Sequence, residues 1–154
     1  MTNATRVQVL EYLQAHRVAT LATEADGNLW AAAVFYVSDG FTLYFLSSPT
    51  SRHGLNLAGN PRVAATIHED YADWTEIKGV QLEGVTTQLS GADETAVRTL
   101  YAKKFPIAGD LAQAPEAIVR AMARVRWYRL DPRRIFFINN AAGFGSRAEV
   151  DIDA

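Results

Sequence analysis

Residues 18–46, VATLATEADGNLWAAAVFYVSDGFTLYFL, place two Asp-Gly pairs between three runs rich in β-branched, leucine and aromatic residues. Asp-Gly readily supplies the positive φ angles of a two-residue hairpin loop, so the stretch predicts three consecutive antiparallel strands. RVAATIHE at 62–69 and GVQLEGVTTQLS at 79–90 predict two more, with Gly84 marking a bend or bulge in the second. RWYRLD and RIFFIN, nearer the C-terminus, read as two last strands. Helices stand apart from this β pattern. NATRVQVLEYLQAH begins with capping residue types and spaces Val7, Leu10 and Leu13 along one side, predicting a helix from about Ala4 to Ala15 that closes one end of the sheet. SGAD resembles a capped start, after which Val97, Leu100, Tyr101 and Phe105 keep helical spacing until Pro106. A third helix is expected over PEAIVRAMARV, with Pro115 at its opening and Ile118, Met122 and Val125 on one face. Helices at the edges of a run of short strands predict a mainly β fold, a small antiparallel barrel with peripheral helices, and argue against a doubly wound sheet.

Composition narrows the function classes. At 154 residues, with no linker or repeat, the chain reads as a single domain over 1–154. A net charge of -2 gives no general attraction to nucleic acid or to acidic membranes, and neither is expected as a partner. Without cysteine there are no disulfides, thiolate metal sites or thiol nucleophiles. No stretch approaches the roughly 20 apolar residues of a membrane span and the start lacks a leader-like apolar run, so the expected address is the cytoplasm. His16, His53 and His68 lack the spacing of a metal site, and no metal is expected. No G-x-S-x-G elbow is present, and the GFG near the C-terminus reads as a mobile turn outside any βαβ unit.

SSPTSRHGLNLAGN, residues 47–60, is the one segment with concentrated polar chemistry. If a helix begins near Ser51, its first amides lack intrahelical acceptors and carry the positive end of the helix dipole. Ser47, Ser48, Thr50 and Ser51 add hydroxyl donors there, and Arg52 adds a fixed charge. Those are the parts of a phosphate site. The same residues also suit a plain capped helix with a solvated arginine, and His53 suits either arrangement.

The order of the hairpin, SRH, NPRVAATI and IKGVQLEGVTTQL resembles the pyridoxamine 5'-phosphate oxidase-related proteins, the flavin-binding split-barrel family, over about residues 9–105. RLDPRRIFFINNAAGFG resembles the C-terminus of a small single-domain bacterial branch. The resemblance implies a six-stranded antiparallel split barrel of the FMN-binding type, a homodimer with FMN in a groove between copies, and redox chemistry on a small molecule. By matched position it implies that Arg52 and His53, with Ser47 and Ser51 and the adjoining Leu46, hold the phosphate. Trp30, Ala31, Ala32, Ala33, Val34 and Phe35 would lie along the isoalloxazine, Lys78 and Gln81 at its polar edge, and Phe144 against the partner's flavin. The polar, aromatic HEDYADWTEI, residues 68–77, is expected to form the lip of a substrate pocket. Two departures stand out: His53 replaces a second lysine or arginine, and Trp30 and Phe35 stand where more polar members have cations. Flavin carries the redox chemistry itself, so no catalytic residue is assigned. The segment with which the oxidase contacts its substrate finds no match, so that particular activity is not expected. A flavin or haem carrier without turnover, and a deazaflavin reductase, are the alternatives on the same fold.

Overall fold

The computed structural model describes residues 3–153. Its β1 (Val18–Ala25), β2 (Asn28–Asp39) and β3 (Thr42–Ser47) form the expected meander. Asp26 and Gly27, with φ of 54° and 80°, make the first turn with both central residues left-handed. The second turn is displaced by one residue: Asp39 still pairs with Thr42, and Gly40 (φ 58°) with Phe41 forms the loop. β4 (Arg62–His68) pairs with β1, β5 (Lys78–Gln88) with β4, and β6 (Arg126–Asn139) with β5. β3 and β6 then pair from Leu43 opposite Leu130 to Ser47 opposite Arg126, which closes six antiparallel strands into a barrel.

One strand expectation near the C-terminus is corrected, and one short strand is added. RWYRLD and RIFFIN belong to one strand, because Pro132 and the extra residue Arg133 are absorbed as a bulge opposite Gly84. A Cβ on Gly84 would lie 2.4 Å from the carbonyl oxygen of Asp131, so the bulge requires glycine there. The GFG segment is the turn of a hairpin leading to a short β7 (Arg147–Val150) that pairs with the second half of β6.

Alternation along the strands sends Leu21, Tyr36, Phe45, Ile67, Val80, Leu130 and Ile135 inward to one core. Helix α1 (Asn3–Ala15) caps that core, but with Val9, Tyr12 and Leu13. Val7, expected on the buried side, is 49% exposed, because the i, i+4 pair of Val9 and Leu13 takes the barrel mouth. Helix α2 (Arg52–Gly59) follows β3 and rests on β1 and β2. Helix α3 (Gly91–Lys104), the single turn α4 (Pro106–Gly109) and helix α5 (Glu116–Arg124) cover the outside of the sheet where β2 ends and β6 begins. There Val37 and Trp127 meet Val97 and Tyr101, with Met122 and Val125 packed alongside. Trp127 and Tyr101 cross edge to face at 5.1 Å. Lys104 ties α3 to α1: its amine donates to the His16 carbonyl over the Tyr36 ring, where burial and nearby Arg17 push its pKa down to about 8. No helix among the described residues is long and apolar enough to cross a membrane.

Candidate functional site

The strand-to-helix bend between β3 and α2 is held by its own hydroxyls. Ser51, with extended φ and ψ, is the N-cap: its Oγ accepts from the Gly54 amide at 3.1 Å and donates to the Ser48 carbonyl at 2.7 Å. A Cβ on Gly54 would sit 2.7 Å from that same carbonyl, so the bend wraps tightly over the first turn. The amides of Arg52 and His53 therefore remain as first-turn donors without intrahelical acceptors. Ser47, buried at the end of β3, places its Oγ 3.2 Å from Ser51 Oγ and in close contact with His53 Nε2. Burial holds the pKa of His53 below the usual imidazole value.

Arg52 is exposed, and its guanidinium lies 4.2 Å over the Trp30 ring. Both readings of this segment thus hold in part, since the helix is capped by serine while its charge is held on an aromatic face. Farther along α2, Asn56 donates to Thr23 Oγ1 at 3.1 Å, pinning the helix to β1. Barrel closure adds a residue that sequence reasoning missed. Arg126 is the register partner of Ser47 and shares its side of the sheet, so a third polar element faces the bend. Only the β3–β6 pairing could have revealed it, because nothing local marks an arginine at that distance in the chain.

Strand alternation divides the residues expected along a flat ring. Val34 is buried in the core, and Trp30 and Ala32 share its side of β2; Ala31, Ala33 and Phe35 face outward. Outward residues of neighbouring strands line up in rows. Ala33, Thr20, Thr66, Gln81 and Phe136 form one row, and Ala31, Ala22, Ala64 and Glu83 form the next. Gln81 therefore shares a face with the alanines. A groove of about 490 Å³ opens here, lined by Ala22, Thr23, Leu29, Arg62, Ala64 and Glu83. Leu46 turns the other way and packs against the Trp127 cluster.

Lys78 and Phe144 are grouped elsewhere. Lys78 is at the start of β5, beside a hollow of about 950 Å³ shared with Tyr12, His16, Glu69, Tyr71 and Glu76. Tyr12 Oη is 3.1 Å from Tyr71 Oη and 3.2 Å from the Lys78 carbonyl, and His16 Nε2 is 2.7 Å from Glu69 Oε1. Phe144, 75% exposed, stacks on Trp74 at 5.8 Å, and Asn140 joins their two segments by donating to the Trp74 carbonyl at 2.8 Å. The expected lip at 68–77 is thus an ordered aromatic edge braced by the β6–β7 turn.

The family model described as pyridoxamine 5'-phosphate oxidase matches residues 6–139. A UPF0306 protein from Klebsiella pneumoniae is 32% identical over 145 residues, covering 93% of this chain and 90% of that protein. Among solved structures, a FAD-binding protein from Mesorhizobium loti superposes with a TM-score of 0.66 at 20% identity, over 98% of this chain and 96% of its own. The haem storage protein HutZ from Vibrio cholerae superposes with a TM-score of 0.68 at 21% identity, over 84% and 91%. Both likenesses are of fold, the split barrel.

Proposed function

From the premise that this chain belongs to the pyridoxamine 5'-phosphate oxidase family, we propose that it is an FMN-binding oxidoreductase acting on a small molecule as a dimer of barrels. The observation that carries the reading is the strand-to-helix bend, where the free first-turn amides of α2, Ser47, Ser51, His53 and Arg52 gather at one place. Arg52, the two free amides of α2, Ser47, Ser51 and His53 would hold the phosphate. Ala31 and Ala33 would let a flat ring approach the sheet, with the Gln81 amide available to its polar edge.

A second copy laid on the same alanine-lined face would shut water out of the groove, and Phe144 and Trp74 would reach a flavin only across that interface. When bound, flavin supplies the hydride and electron chemistry; the chain binds, orients and shields it. The deciding experiment is titration of the purified protein with FMN and with riboflavin, followed by flavin fluorescence and by bleaching with NADH or NADPH. Tight FMN binding with bleaching supports the reading. Failure to take up FMN overturns it, and uptake without reduction by any nicotinamide donor leaves a carrier.

One feature favours haem as the second reading. His68 points outward from β4, and its Nδ1 lies 3.0 Å from the Glu69 carbonyl, which fixes the tautomer that turns a lone pair on Nε2 outward. A Soret band on adding haemin, lost in His68→Ala, would select this reading over flavin.

A further inference from the structure

His53 stands where the family resemblance calls for a second cation, and its hydrogen bonds fit either charge state. The Ser51 hydroxyl proton is committed to the Ser48 carbonyl, so Ser51 Oγ can only accept from Ser47. With a neutral ring, Ser47 donates to Nε2. With a protonated ring, Nε2–H donates to Ser47, whose hydroxyl then turns to donate to Ser51. One hydroxyl rotation switches between the two, and neither state leaves the buried Ser47 without a partner. Nδ1 has no partner among the described residues and carries a proton in both states, so it is the atom left for a ligand.

The charges around the ring are few. Its own helix contributes Arg52. Glu24 on β1 is already engaged by the Gly27 amide and the Asn60 side chain. β2 carries no charged residue before Asp39, and β3 carries none. β6 contributes Arg126, opposite Ser47, and next on that side Tyr128, which burial keeps neutral. Without ligand, burial disfavours a proton on His53, and the positive end of the helix dipole acts in the same direction. A dianion at the same place reverses that balance.

We propose that the ester phosphate binds together with one proton, taken from solvent and held on the His53 ring. The site thereby favours a terminal monoester dianion over the singly charged phosphates of a dinucleotide. The proposal rests on the flavin reading above, and its test separates the two. The full chain is titrated calorimetrically with FMN at pH 7.5 in two buffers of different ionisation enthalpy, and the affinity is followed from pH 8.5 to 7, where the ester remains mainly dianionic.

Because the ring's pKa rises on binding, affinity must strengthen as pH falls through the bound-state value. The expected results are uptake of roughly half a proton or more, an FMN affinity several-fold tighter at pH 7 than at 8.5, and a flat profile for riboflavin. His53→Gln abolishes the uptake, while His53→Lys keeps FMN affinity and loses its pH dependence. FMN binding without proton uptake, an unchanged pH slope in His53→Gln, or FAD bound as tightly as FMN overturns the proposal. A protein that gives no heat with FMN at any pH overturns the flavin reading itself, and this one with it.

Discussion

The outside of the barrel has two halves made of the same sheet but with opposite side-chain sizes. Where β2 ends and β6 begins, Val37 and Trp127 point outward, and α3 and α5 are laid over them. Nearer the start of β2, Ala31 and Ala33 point outward beside Ala22 and Ala64, and all four are exposed. Phe35 marks the border, 56% exposed but touching Phe105 edge to face at 5.5 Å. Large outward apolar side chains gain from cover, since each square ångström of apolar surface left in water costs about 25 cal/mol. Small ones expose little and leave the backbone open to close approach. The chain thus covers one half itself and leaves the other with small side chains in the open.

The comparison can be broken at four points, in descending order of effect. Trp127→Ala should cost about 3–5 kcal/mol of stability, read as a lower urea midpoint, with oligomeric mass unchanged. A loss under about 1 kcal/mol would mean that the helical cover contributes little. On the open half, Ala33→Lys should leave the midpoint of the isolated chain nearly unaltered. It should weaken self-association on the order of a hundredfold, or about 3 kcal/mol, by burying an unpaired charge. Sedimentation showing an equally stable dimer would remove this face as the interface.

Arg52→Ala should weaken FMN by about 1.5–3 kcal/mol, ten- to hundredfold, and hardly affect riboflavin. Equal losses for both would mean general disruption of the bend and no phosphate contact. The smallest effect belongs to Ser51→Ala. Loss of the cap should lower stability by about 1 kcal/mol in the absence of any ligand, seen as a modest drop in thermal midpoint.

The strands were legible because their signals are local. Asp-Gly turns, alternation and a lone Gly84 in a β run carry their meaning within a few residues, and the structure places a hairpin, a strand or a bulge at each. Pro132 misled for the same reason, since a proline inside a β pattern normally ends a strand, and only the opposing Gly84 shows that this one is accommodated. The short RAEV of β7 carries too few residues to announce itself, and its pairing depends on β6 already being in place. At the candidate site the bend could be read, with Ser51 as cap and Ser47, Arg52 and His53 gathered around it. Side-chain direction could not. Residues 30–35 looked like one surface but are divided by alternation between core and exterior, and Leu46 faces away from its neighbour Ser47. Nor could sequence alone join Phe144 to Trp74, a meeting made by two loops and one asparagine.

The pairing of β3 with β6 has a consequence for how this protein breathes. Ser47 and Arg126 face each other at the end of the seam that joins the strand segments most distant along the chain, the pairing with the longest loop to close. An anion bridging the two would act as a latch. Amides of residues 43–47 and 126–130 should then be the ones whose hydrogen exchange slows most when even inorganic phosphate is added.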